Sequence, residues 1–383
     1  MPNAYAQGIL LGYDQQPQIR NDMSTVAINW FVNRCPLVTR MPRVPVGSTK
    51  FTMHFRKPRT RSASNSGGDV NNTGTSITLD DASPFMIGDV LEATSGERIE
   101  ITADPTSGNV VTVKRGVDGT TAAAITNGTS LILIGNSRTG GEVDQSGAGR
   151  IPVGVDQYCQ TFQHAVQVAG ALQASTSFVT EPGVSTPLDQ FKMDALQNLM
   201  DDIESATYYG GGEAPSSGGR PKMKGLKALI ATANNVTTSP TNAGAYKPSD
   251  MVRDLLEKAR LGGGDPDVIL CSTNFMTGLA IWGGYAQVVE AGTTIFGTPI
   301  RVFMAPFVGN QLLIECPLLR SYTAAALTSS EVRMRVKRNE FWNPRGVRGD
   351  AIEGDFIAEM ALELDNPGHH AWVQGVTAFA AQS

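Results

Sequence analysis

The stretch from Thr186 to Gly212 constrains this chain more than any other. Thr186-Pro187 is a helix start: a threonine hydroxyl accepts a free backbone N–H, and proline suits the first helical position, where no N–H is needed. At 100° per residue Leu188, Phe191, Ala195, Leu196, Leu199, Ile203 and Ala206 fall on one arc, and Asp194, Asp201 and Glu204 fall opposite. Gly210-Gly211-Gly212 ends the pattern. The spacing predicts one amphipathic helix over 187–209, about 35 Å long. Its apolar face needs a partner, and most of the remaining chain reads as strands.

From Ser48 the residues alternate, with Phe51, Met53 and Phe55 on one face and Thr52, His54 and Arg56 on the other, as in a half-buried strand. The strand runs into a basic stretch, Arg56-Lys57-Pro58-Arg59-Thr60-Arg61. Residues 62–75 are a polar linker. Short strand-like runs follow (Ser76–Leu79, Val90–Ala93, Arg98–Thr102, Val110–Lys114 and Ser130–Ile134), separated by turn signals such as Ser95-Gly96, Asp118-Gly119 and Asn127-Gly128. They predict a small all-β module over 76–135. After a Gly-rich linker, Thr139–Gly149, an extended stretch Val153–Val168 keeps Tyr158, Phe162, Val166 and Val168 in one phase. The expected organisation is a two-stranded arm, 48–61 out and 153–168 back, with the module inserted. Residues 1–47 mix Gly, Pro and isolated apolar groups without a period, which suggests a segment lying on another surface, with Trp30 and Phe31 as contact candidates.

Beyond the helix, residues 222–328 read as an α/β unit. It has a helix over Ser249–Leu261 stopped by Gly262, a strand Val268–Cys271, a short helix Asn274–Trp282, and strands Thr298–Met304 and Gln311–Leu319. Extended structure returns in Glu331–Lys337 and Phe356–Asp365. The fold class is α+β.

Little in the chain points to catalysis. There is no phosphate-binding loop, no GxGxxG after a strand and no GxSxG elbow. Cys35, Cys159, Cys271 and Cys316 are far apart and read as small buried apolar residues. His54 and His164 lie on strands, and His369-His370 follows a turn with no cysteine or carboxylate at ligand spacing. Neither a catalytic residue, a metal nor a cofactor is expected. A net charge of −5 argues against a dedicated nucleic-acid binder, and a charged fraction of only 17% suits surfaces that end up against neighbours. No apolar run approaches the roughly 18 residues that span a bilayer, and no signal peptide opens the chain, so no membrane contact is expected and synthesis is expected in a cytoplasm.

The order of parts resembles the major capsid proteins of tailed bacteriophages with the Hong Kong 97 fold. Phe191–Gly211 (FKMDALQNLMDDIESATYYGG) resembles that fold's spine helix. Gly354–Val376 resembles the closing segment of its P-domain, and Gly88–Thr121 resembles the β insertion that one subgroup carries in the E-loop. The resemblance implies an N-arm at 1–47, an E-loop at 48–168 with the module at 76–135, a P-domain at 169–221 with spine helix 187–209, an A-domain at 222–328, and P-domain strands at 329–383. It further implies self-assembly through pentamers and hexamers into an icosahedral virion head that encloses double-stranded DNA, formed in the bacterial host cytoplasm. The expected partners are a portal protein, a decoration protein and weakly held DNA. No scaffolding-like helix precedes the arm, which implies a separate scaffolding protein.

Arg56, Lys57, Arg59 and Arg61 are expected to meet carboxylates of a neighbouring subunit, with the helix acids Asp194, Asp201 and Glu204 as the acidic face. For Arg333, Arg335, Lys337, Arg338, Arg345 and Arg348, a genome-facing role competes with such pairing. The rival readings are an encapsulin-like compartment shell, which the insertion counts against, and a β-rich tail or adhesin protein, which the helix and α/β unit count against.

Overall fold

The structure is a computed structural model, and it describes residues 34–55, 59–106, 108–138, 152–173, 186–215, 219–238, 245–280, 282, 286–288, 294–295, 298–299, 301–305 and 308–379. The chain forms two compact units, one of residues 1–54 with 154–383 and one of residues 55–153.

In the smaller unit six antiparallel strands run in the order Ser62–Ser64, Ser130–Asn136, Asp89–Ala93, Arg98–Thr106, Val110–Lys114, Ser76–Thr78. The two outer strands meet through a bridge between Asn65 and Leu79 and through hydrogen bonds from Ser66 N to Thr78 O (2.8 Å) and Asp80 N to Ser64 O (2.9 Å). The sheet is therefore closed into a barrel without a long free edge. Strict alternation fills it: Ile77, Leu91, Ile99, Ile101, Val111, Val113, Leu131 and Leu133 all point inward. The expected module start at 76 is corrected, because Ser62–Ser64, assigned to a linker by composition, closes the barrel. A three-residue strand is too short to show alternation.

A buried ion pair pins the barrel's turns. Glu97, fully buried, accepts Arg115 Nε and Nη2 at 2.7 Å each, and also the N–H groups of Gly116 (3.2 Å) and Ala123 (3.0 Å). Arg115 Nη1 donates to the carbonyls of Asn71 (2.8 Å) and Gly74 (3.1 Å). Burial raises the Glu97 pKa, but these hydrogen bonds and the guanidinium outweigh it and hold the carboxyl below its ordinary range.

The larger unit is organised by the helix Pro187–Tyr209. Thr186 caps it, its hydroxyl accepting from Asp189 N at 3.2 Å, and the chain leaves it at Gly210. Gly210 packs against the carbonyls of Ala206 and Met223, where a side chain would collide. Leu199 and Ile203 are fully buried against a four-stranded sheet ordered Arg43–Pro45, Val332–Arg348, Ala351–Leu364, Gln160–Ala169. Each such side chain contributes about 1.5–3 kcal/mol of burial.

The two long strands Val332–Arg348 and Ala351–Leu364 form an antiparallel hairpin, longer than the sequence pattern indicated. Trp342 lies over Gly354, where even a Cβ would clash with the ring. The expected two-stranded arm holds only in its first half. Lys50–Phe55 pairs with Val153–Tyr158, but Gln160–Ala169 pairs with Ala351–Leu364 instead. Alternation marks which face of a strand is buried and does not choose its partner.

A second sheet of seven strands, Asn235–Thr237, Ala371–Gln374, Ala324–Leu327, Val268–Cys271, Gly309–Glu315, Arg301–Ala305 and Ala286–Val288 in that order, carries the α/β part. The strand Ala324–Leu327 is covered on both faces: Ala325 and Leu327 join the helix core, while Ala324 and Ala326 join a core built on Leu255, Leu256, Ile269, Phe275 and Trp282. The helical segment Pro248–Leu261 contains a π-helical stretch over Val252–Glu257 and stops at Gly262. The four cysteines are free and buried. Burial pushes the Cys159 thiol up to about 11 and the Cys316 thiol up to about 12.

Candidate functional site

The features relevant to assembly are how charged side chains are partnered and which apolar faces stay uncovered. The long helix is covered on two sides. The short helix Pro36–Arg40 lies on its C-terminal half, with Leu37, Val38 and Met41 buried in the same core as the sheet. Glu204 holds it there, accepting Leu37 N at 3.0 Å and Val38 N at 2.7 Å, while the Tyr208 hydroxyl donates to the same carboxylate. A carboxylate on free N–H groups at a helix start satisfies donors that would otherwise be orphaned. Burial pushes the Glu204 pKa up, against the opposing pull of these donors.

This corrects two expectations. Glu204 is not part of an exposed acidic face, since it is fully buried within its own chain. Residues 36–45 do not lie free of their own subunit either, because Arg43–Pro45 is a strand of its sheet. Trp30 and Phe31 lie outside the described residues. Of the other helix acids, Asp201 takes Arg34 at 2.9 Å and Cys35 Sγ at 3.3 Å, and Asp194 stays exposed, accepting from Gln190 Nε2 at 3.4 Å. Asp202 is exposed and pairs with His164 at 2.9 Å.

The basic residues are likewise committed at home. Arg59 pairs with the buried Asp89 carboxylate and donates to Pro84 O at 2.8 Å; Asp89 also accepts Met86 N and Asn136 Nδ2 at 2.8 Å each. Arg61 donates to the carbonyls of Leu133 (3.3 Å) and Ile134 (3.4 Å). Within the chain, both of these residues anchor the barrel. Arg56 and Lys57 lie outside the described residues.

On the terminal hairpin the cations face carboxylates of the partner strand. Arg335 binds Glu363 through two bonds of 2.8 and 2.7 Å, Arg333 reaches Asp365 at 3.3 Å, and Lys337 and Arg338 share Glu359 at 2.8 and 3.0 Å. Arg345 meets the buried Asp355 at 2.5 Å. The side chain of Arg348 is outside the described set. This cross-strand ladder pairs the cations within the same chain and leaves the hairpin nearly neutral.

At the passage from the hairpin to the second sheet, Glu331 gathers His369 Nδ1 (2.9 Å), Asn366 Nδ2 (3.0 Å) and His370 Nε2 (3.4 Å). His370 is fully buried, and its Nδ1 accepts Thr328 N at 3.2 Å, so Nε2 carries the proton and donates to Asp365 O at 3.0 Å. Among the described residues no group of three or more His, Cys, Asp or Glu is arranged to hold a metal ion, and no helix is long and apolar enough to cross a membrane.

Solved structures with a similar overall fold are known. The capsid asymmetric unit of cyanophage A-1(L) is similar at 11% identity and a TM-score of 0.55, over 96% of this chain and 100% of that one. The capsid of the native GTA particle is similar at 8% identity and 0.52, over 97% and 100%. The holo-SrpI encapsulin complex from Synechococcus elongatus is similar at 11% and 0.50, over 98% and 100%. At these identities the likeness bears on the fold, which is of the Hong Kong 97 type. No curated protein matches the chain. The family described as SU10 major capsid protein, however, matches residues 7–377. With nearly its whole length accounted for and its parts in the order that fold requires, the chain belongs to the SU10 major capsid protein family.

Proposed function

We propose that this major capsid protein assembles through pentamers and hexamers into a closed icosahedral head around phage double-stranded DNA. Its role is structural, not enzymatic. The observation that supports this most is the family match over residues 7–377 on a chain whose fold is that of capsid subunits. Rings form by head-to-tail contacts of the α/β part, each weak enough that misplaced subunits dissociate before closure. Arg56, Lys57 and the exposed Asp194 supply rim contacts that steer encounter. The barrel stands on the outside of the shell, where a decoration protein has access. Heads are built in the host cytoplasm around a separate scaffolding protein and a portal. DNA inside is held weakly and without sequence preference, in keeping with a hairpin whose cations already face carboxylates.

Native mass spectrometry of the purified protein tests the reading. Pentamers and hexamers in equilibrium with subunits are expected. A stable monomer at every concentration, or ladders of unrelated stoichiometry, would overturn it.

A further inference from the structure

The four-stranded sheet under the long helix ends on two unlike edges. At one end the short strand Arg43–Pro45 covers only Met334–Val336 of its longer neighbour. The rest of that neighbour, Val332–Arg348, is interrupted by register shifts and carries Pro344 and the charged Arg338 and Arg345. Bulges, proline and charge keep a strand edge from taking up another strand. The opposite end is Gln160–Ala169, which has none of these. Its register with Ala351–Leu364 is unbroken, it contains neither Pro nor Gly, and its one ionisable side chain, His164, is paired with Asp202. Among the described residues no strand pairs with its outer edge.

The ladder fixes where the free backbone groups point. Gly170 N donates to Asp350 O at 2.6 Å, in step with Ala169 opposite Ala351, so the even-numbered residues turn their N–H and C=O groups inward to Ala351–Leu364. The odd-numbered ones, Thr161, Gln163, Ala165, Gln167 and Ala169, turn theirs outward. Their side chains are also the exposed ones, whereas Phe162, Val166 and Val168 join the cores under the helix.

We infer that this edge pairs with the same edge of a second copy, antiparallel about a twofold axis through Ala165. The free groups select the register. With Ala165 opposite Ala165, Gln163 opposite Gln167 and Thr161 opposite Ala169, every outward N–H and C=O of the strand finds a partner, and any other register leaves some of them unpaired in both copies. The facing side chains agree. Two small alanines meet at the axis, glutamine amides meet on the open face, and Phe162 comes opposite Val168, an aromatic beside a β-branched residue. No like charges are opposed. Such a contact is isologous, while the head-to-tail contacts proposed above close rings, so it joins one ring to the next; only this last step rests on that reading.

Disulfide capture tests the pairing. The native cysteines are buried, so an engineered one reports on its own position. Facing residues of a hydrogen-bonded antiparallel pair stand about 5.5 Å apart at Cα, within reach of a disulfide. Under assembly conditions Ala165→Cys should oxidise to a covalent dimer. Gln163→Cys and Gln167→Cys should each stay unlinked alone and link when the two proteins are mixed. Absence of the Ala165→Cys dimer, or self-linking of Gln163→Cys as readily as of the mixture, would overturn the inference. Ala165→Pro gives a second readout, because it removes an outward N–H and leaves the inner ladder whole. Its thermal transition should stay near the parent's while pairing between copies, read by sedimentation, weakens about tenfold or more. Undiminished pairing would also overturn the inference. Rings seen by native mass spectrometry without a link at residue 165 would sink this contact alone, and linked dimers without rings would sink the ring reading alone.

Discussion

Glu204 accepts the backbone N–H of Val38 at 2.7 Å across 166 positions of sequence. One carboxylate thereby joins the short helix Pro36–Arg40 to the helix on which the larger unit is built. Replacing it by alanine leaves the N–H groups of Leu37 and Val38 and the Tyr208 hydroxyl without their acceptor. Glu204→Ala should lower unfolding stability by about 2–4 kcal/mol, read as a shift in urea midpoint. It should also speed hydrogen exchange across residues 34–41. An unchanged midpoint would mean that the short helix is held by Leu37 and Val38 packing alone.

The hairpin ladder predicts a compensating pair. Glu363 is buried and takes Arg335 through two bonds, so Glu363→Leu strands a guanidinium and should cost about 1–3 kcal/mol. Adding Arg335→Met removes the stranded charge and should recover most of the loss. Equal instability of the single and double variants would show that the pair does not act as a unit.

Glu331 sets a pH dependence. Burial raises its pKa, but hydrogen bonds from His370, Asn366 and His369 outweigh that and hold it at about 2, against an ordinary 4.5. Between those values the unfolded chain binds more protons than the folded one, so this contribution is present above 4.5 and is lost as pH falls toward about 2. Urea midpoints should drop between about pH 5 and pH 3, and Glu331→Gln should flatten that drop. A variant with the parent's slope would remove Glu331 as its source.

The barrel carries its own core and its own ion pairs, which makes it removable. Deleting residues 59–138 and joining the flanks with a short Gly-Ser linker should leave the larger unit folded, with a thermal transition close to the parent's. Cutting at 76–135 instead leaves Ser62–Ser64 as an unpaired edge, and that product should aggregate more. Identical behaviour of the two deletions would mean that the Ser62–Ser64 strand does not close the barrel.

How much the sequence disclosed follows from the range of each interaction. Thr186-Pro187, the 3.6-residue period and Gly210 are local, and they located the helix Pro187–Tyr209. The barrel's inward residues repeat every second position, and its longer strands were legible for the same reason. Glu204 on the polar arc looked solvated, because its burial depends on Leu37 and Val38, which no local pattern brings near. The partners of Arg59 and Arg335 were hidden in the same way: pairing depends on strand register, and register appears only when the sheets form. Phe191 lies on the predicted apolar arc yet is 36% exposed, which the 3.6-residue period alone does not foretell.

Electron cryo-microscopy of the protein overproduced in a bacterial host tests the central claim most directly. The account predicts closed icosahedral shells in which each subunit's density follows this fold, with the barrel outside and the long helix set on its sheet. Soluble monomers under all assembly conditions, or open tubes without fivefold vertices, would contradict it.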